Sequence, residues 1–211
     1  MSASGSNLTT IGALDLAALL CSRVCHDLIS PVGAIVNGLE VLEENKDEET
    51  KVFALELIQK SAGQASAKLQ FCRLAFGAAG SAGAQIELGD AEKAARGMIE
   101  DGKIAIVWNL QRELVPKNRA KLVLNMLMVA VGATPRGGTL TVDAVGNGYR
   151  VTAAGLNARL PATAPDLLSG SPAHPVDAHA IQPFYTGLLA RDCGLSASAA
   201  VEGDAVVVAA Q

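Results

Sequence analysis

Between about Leu14 and Glu44, apolar residues recur at steps of three and four. At about 100° per residue, Cys21, Val24, Cys25, Leu28, Val32, Ile35, Leu39 and Leu42 fall on one stripe. This spacing predicts a single amphipathic helix of about 30 residues, about 45 Å long at a rise of about 1.5 Å per residue. Pro31 lies inside it. An interior proline removes one backbone hydrogen bond and crowds the preceding turn, so a kink is expected just after His26. Glu43–Asp47 reads as a turn. A second stripe, Val52, Leu55, Ile58, Ala62, Ala65, Leu69, Cys72 and Phe76, predicts a second helix from about Glu48 to Gly77. Two such helices joined by a short turn form an antiparallel hairpin. Each helix can bury only one side against its mate. The hairpin is therefore expected to pair with a second copy as a four-helix bundle, making the protein a homodimer. The alternative is packing on the rest of its own chain.

Gly77–Gly83 is small and flexible in composition, and a domain boundary is expected there. Beyond it the pattern changes to mixed α and β. Asp90–Glu100 reads as a short helix and Lys103–Asn109 as a strand. Pro116 opens a helix carrying Leu122, Leu124, Leu127 and Val131. Pro135–Gly138 turns into a strand over Thr139–Val145, and Gly146-Asn147-Gly148 makes a hairpin into Tyr149–Ala154. Leu156–Pro175 reads mostly as loop. A helix follows from about Tyr185 to Asp192, and Leu195–Val201 and Ala205–Ala210 close as a second hairpin. A sheet covered on one face by helices is the α+β layer this implies.

The chain has 211 residues, half of them hydrophobic, enough for one large domain or two small ones. No apolar run reads as long enough to span a bilayer, and Ile11–Cys21 lacks a basic leader, so a cytoplasmic location and no membrane partner are expected. Met1–Thr10, rich in Ser, Gly and Asn, is expected to fray. The four cysteines show no paired-ligand spacing and read as reduced core thiols, with no metal site. A net charge of −4 and 3% aromatic residues argue against a nucleic-acid partner. A protein partner or a small ligand fits better.

His26 falls almost opposite the apolar stripe, with Ser22, Arg23, Ser30, Gly33 and Asn37 around it. A lone histidine in a helix is often a core residue, but here the periodicity sets it on a small, polar outer face. That face reads as a docking surface with a reactive nitrogen at its centre. His174 and His179 lie in or beside the Pro-rich loop without ligand partners at suitable spacing, and read as surface residues.

His26-Asp27-Leu28-Ile29-Ser30-Pro31 resembles the H-box of sensor histidine kinases: a phosphoacceptor histidine, an acidic neighbour, a hydroxyl or amide residue, then proline. The resemblance makes residues 1–80 a dimerisation and histidine phosphotransfer hairpin. It makes residues 84–211 a histidine-kinase-ATPase-like α/β sandwich, and there the motifs have decayed. Leu124-Asn125-Met-Leu-Met-Val129-Ala130 is similar to the N-box region, but Val129 stands where active kinases carry the asparagine that holds Mg²⁺. A hard cation needs oxygen ligands. Ala153 stands where an aspartate reads adenine. Ile181-Gln-Pro183-Phe184-Tyr185-Thr186 resembles the F-box, yet Gly187 follows directly and the glycine-rich lid is missing. With these losses together, the nucleotide site reads as degenerate, with no ATP and no cofactor of its own.

An intact H-box beside a dead nucleotide site resembles the ChpT-type histidine phosphotransferases of bacterial phosphorelays. That resemblance implies phosphate taken onto His26 from the receiver domain of a hybrid histidine kinase and passed to response regulators, with Mg²⁺ supplied by the receiver. In the known family those regulators govern cell-cycle progression. Asp27 would hydrogen-bond the other ring nitrogen of His26 and set its tautomer. Ser30 and Asn37 would contact the receiver or be ordinary polar surface. Arg23 would pair either with phosphoryl oxygens or with a nearby acidic residue. The rival readings are an adaptor or inhibitor that does not use His26, and an active kinase with an unusual nucleotide site.

Overall fold

The computed structural model describes residues 11–44, 47–77, 84–100, 102–170, 172, 176–178 and 180–211. The expectations for residues 1–10, for the 78–83 linker and for His174 and His179 fall outside these. The hairpin consists of α1 (Ala13–Glu44) and α2 (Glu48–Ala75). Asp47 caps α2, its side chain accepting from the Thr50 amide at 2.8 Å. Helix α1 runs without a break through Pro31.

The apolar stripe of α1 divides into two faces. Pro31 and Gly38 are buried against α2, with Val24, Ile35 and Leu42 half-buried beside them. Cys21, Cys25, Val32 and Leu39 are exposed, which corrects the expectation that Cys21 and Cys25 are core thiols. The reason is width. A stripe spread over a third of the helix circumference cannot be covered by one neighbour, and α2 comes closest where the side chain is absent. A Cβ on Gly38 would lie 2.6 Å from Cγ1 of Ile58. The exposed residues of α2 form a matching band through Val52, Leu55 and Leu69.

By length and composition α1 is also apolar enough to cross a membrane, contrary to the sequence expectation. It packs along α2, however, and carries Arg23, His26 and Asp27 near its middle. Charged groups at mid-span cost about 2.5–3.5 kcal/mol each.

The second layer begins with β1 (Gln85–Glu87), α3 (Leu88–Ile99), β2 (Ile104–Trp108), β3 (Leu114–Pro116) and α4 (Lys117–Ala133). It continues with β4 (Gly138–Val145), β5 (Gly148–Ala154), α5 (Ala164–Leu168), α6 (Ile181–Asp192), β6 (Ala197–Glu202) and β7 (Ala205–Ala210). The five-stranded sheet runs β2-β4-β5-β7-β6, parallel only between β2 and β4. That parallel pair needs a crossover, and α4 lies within it. Strands β1 and β3 pair separately; neither they nor α5 was expected, being short and without a clear period. Helix α6 starts four residues ahead of its predicted start. Pro183 sits in its first turn, where a missing amide hydrogen is harmless.

Alternation along the strands sends Leu140 and Val142 of β4, Val151 and Ala153 of β5, and Val206 and Val208 of β7 into one core. Helix α4 closes that core and is buried from Ala120 to Ala130. It has neighbours on every side: the sheet, α2, α3 and α6. Phe71 and Ala75 of α2 belong to the same core, and Leu16, Leu19 and Leu20 of α1 pack on Leu167, Ile181 and Phe184. Gly187 lets α6 reach the end of α5, for a Cβ there would lie 2.3 Å from the Leu168 carbonyl oxygen.

The Gly38 contact makes a test of the hairpin. Gly38→Leu should force α1 and α2 apart and cost about 1–3 kcal/mol, the usual range for overpacking. A urea midpoint equal to that of the parent protein would contradict this.

Candidate functional site

Helix α1 presents His26 on its polar face, its side chain 82% exposed. Asp27, one residue on, turns toward α2 and is only 12% exposed. Its carboxylate has two neighbours. Arg23 Nε donates to Oδ2 at 3.1 Å, one turn back along the helix. His26 Nδ1 lies 3.5 Å from Oδ1, at the outer limit of a hydrogen bond. Of the two partners the sequence left open for Arg23, the structure has it paired with Asp27. A proton on Nδ1 facing this carboxylate leaves the Nε2 lone pair free.

The backbone at Asp27 depends on Pro31. In an α-helix the carbonyl of residue 27 accepts from the amide of residue 31, and proline has none. Lys68 of α2 fills the gap, its Nζ donating to the Asp27 carbonyl oxygen at 2.9 Å. One hydrogen bond thus satisfies an orphaned acceptor and ties α2 to the residue beside His26. Lys68 was not singled out in the sequence. The usable signal is that a proline four residues after Asp27 frees that carbonyl, and a cation on the facing helix is its natural partner.

Cys72, also on α2, is buried among these charges. Burial pushes its thiol up to about 11, the Asp27 carboxylate adds to the rise, and Arg23 and Lys68 oppose it. It stays a protonated thiol beside the site.

Ser30 and Asn37 are exposed on the face of His26, one and three turns beyond it. Neither is among the groups that hold Asp27 or approach the His26 ring.

Val129 of α4 and Gln182 and Pro183 of α6 meet elsewhere. Val129 lines a cavity of about 530 Å³ between the second half of α4, the α5 segment and the first turn of α6. Its side chain offers no oxygen to a cation. Ala153 is fully buried in β5, paired in register with Leu140 and Val206, and brings no carboxylate to that space. Arg23 reaches the cavity wall from α1, so the guanidinium that holds Asp27 borders both places. Asn125, fully buried in α4, donates to the Ala75 carbonyl at 3.1 Å and the Lys121 carbonyl at 2.8 Å. It accepts from Gln182 Nε2 at 2.7 Å. Asn125 is thus a clamp between α2, α4 and α6.

Comparison with known proteins gives this arrangement a family. Residues 88–205 match the histidine phosphotransferase C-terminal domain. Protein phosphotransferase ChpT of Brucella abortus (strain 2308) is 49% identical over 207 residues, 96% of this chain and 98% of that protein. A bacterial phosphotransferase solved at 1.7 Å superimposes with a TM-score of 0.85 at 46% identity, over 97% of this chain and 100% of that one. The histidine kinase AdeS of Acinetobacter baumannii superimposes with a TM-score of 0.46 at 12% identity, over 88% and 95% of the two chains. A domain match over more than half the chain, and a relative half-identical along nearly all of it, agree with the motif reading: the chain belongs to the ChpT-type histidine phosphotransferase family, whose work is histidine phosphotransfer in a phosphorelay.

Proposed function

We propose that His26 carries a phosphoryl group between receiver domains, taking it from a hybrid histidine kinase and passing it to response-regulator aspartates. In the family resembled, those regulators govern cell-cycle progression. The observation that carries this reading is the exposed His26 imidazole with Nδ1 toward Asp27. The Nε2 lone pair attacks the phosphorus of an aspartyl phosphate in line. The N–P bond forms as the P–O bond to aspartate breaks, and the aspartate leaves as carboxylate. Asp27 stabilises the positive charge that the ring gains. The second transfer is the same step reversed onto another aspartate.

Phosphoryl transfer needs positioning and charge stabilisation more than covalent help. The receiver's own Mg²⁺ and lysine can supply the charge, so this chain need present only the nitrogen at the surface of a rigid helix. Ser30 and Asn37, on the same face, are placed to meet the receiver. Against an ATP-dependent kinase stand Val129 and Ala153, which remove a metal ligand and an adenine reader.

The working unit is a homodimer. Cys21, Cys25, Val32 and Leu39 make an unpaired apolar band on α1, beside Val52, Leu55 and Leu69 on α2. Such a band along two antiparallel helices suits a second hairpin. Light scattering should return twice the chain mass of 21.6 kDa. Val32→Glu with Leu39→Glu should return the single-chain mass; a parent protein already at that mass would end the dimer reading.

Transfer itself is tested with a receiver domain carrying labelled phosphate. Acid-labile, alkali-stable label should reach this chain from the receiver and not from Mg²⁺·ATP, and His26→Ala should abolish it. Label from ATP alone would make the chain a kinase, and transfer surviving in His26→Ala would point to an adaptor. Lys68→Met leaves the Asp27 carbonyl unpaired at a cost of about 1–2 kcal/mol. It should slow transfer roughly tenfold through loss of positioning, and Lys68→Arg should restore most of the rate.

A further inference from the structure

Arg23 holds Asp27 with only part of its guanidinium. Its Nε donates to Oδ2 at 3.1 Å, while His26 Nδ1 faces the other oxygen, Oδ1, at 3.5 Å. The guanidinium and the imidazole thus each meet one oxygen of the same carboxylate. Among the described residues, the terminal nitrogens Nη1 and Nη2 have no hydrogen-bond partner. They carry four N–H donors in a planar fork, a geometry that matches phosphoryl oxygens. The side chain is 27% exposed and borders the cavity beside α4, α5 and α6, so its tip is not packed in.

His26 follows Arg23 by three residues, and helix side chains at that spacing are neighbours, roughly 5–6 Å apart at Cβ. A phosphoryl group on Nε2 brings roughly −1.5 to −2 charge and three acceptor oxygens. It stands beside the Asp27 carboxylate, a like charge. A docked receiver offsets that charge with its own Mg²⁺ and lysine, but between transfers both are absent. The charged neighbours on the protein are few. Lys68 is turned to the Asp27 carbonyl oxygen at 2.9 Å, and the Cys72 thiol stays protonated. Asp166 and Asp177, on the cavity wall, each have partners of their own. That leaves Arg23 as the cation with a free pair of terminal nitrogens.

We infer that Arg23 is a phosphate clasp: it keeps Nε on Asp27 and closes Nη1 and Nη2 on the phosphoryl oxygens carried by His26. This rests on the phosphoryl-carrier reading above and adds what holds the charge in the interval between two transfers. One side chain then joins the carboxylate that orients the ring to the group that the ring carries.

The full chain can be loaded without any receiver, using potassium phosphoramidate as the phosphoryl donor. His26 Nε2 attacks its phosphorus, the new N–P bond forms as the old one breaks, and ammonia leaves. The ³¹P signal that disappears in His26→Ala belongs to His26, and signals from the other histidines persist. On titration, the phosphoryl group should lose its second proton about 0.5–1 pH unit lower in the parent than in Arg23→Gln, because a guanidinium favours the dianion. Arg23→Lys, which keeps the charge without the fork, should fall between the two. An Asp27→Asn background separates direct contact from an effect relayed through the carboxylate. There Arg23→Gln should still raise the titration, by at least about 0.3 pH unit. Phosphorylation should also shift the Arg23 Nη resonances of the parent. A titration that Arg23→Gln leaves in place, or moves only while Asp27 is present, would overturn the clasp and leave the carrier reading standing. A parent chain with no ³¹P signal from His26 would overturn both.

Discussion

Asn125 is where the molecule is held together. It sits fully buried at the centre of α4 and bonds three elements at once: the end of α2 through Ala75, its own helix through Lys121, and α6 through Gln182. A buried amide without partners would be costly, so these elements must arrive together for the fold to be stable. The hairpin and the sheet layer are thus joined by a polar clamp as well as by the shared packing of Phe71 and Ala75. The position from which α1 presents its histidine follows from that joint.

Around His26 the same economy appears in the backbone. Pro31 frees the Asp27 carbonyl, Lys68 takes it, and Arg23 holds the carboxylate of the same residue. Asp27 is therefore gripped at both its main chain and its side chain, and the ring beside it stands exposed. This suits a phosphoryl carrier, which must reach into a partner's site while its supporting groups stay at home.

The sheet layer shows how apolar and polar positions divide the work of packing. Val129 and Ala153 serve apolar packing, and Asn125 serves a structural task. The cavity persists because α4, α5 and the first turn of α6 still diverge there.

Local periodicity and short motifs carry a great deal here. The two long helices, the order of α3, β2, α4, β4 and β5, the outer position of His26 and the lack of a side-chain oxygen at Val129 all follow from residue spacing and residue chemistry. These features depend on neighbours three or four residues away, or on one side chain's own atoms. Other features required the third dimension. The split of the α1 stripe depends on how close Gly38 lets α2 come, and the strands β1 and β3 depend on a pairing between segments far apart in sequence. Lys68 meets Asp27 across 41 residues, and Gln182 meets Asn125 across 57. The sequence by itself determined the two long helices, the succession of β2, α4, β4 and β5 along the chain and the outward position of His26. Tertiary structure alone decided which groups hold Asp27 beside His26, because contacts between distant segments leave no period to read.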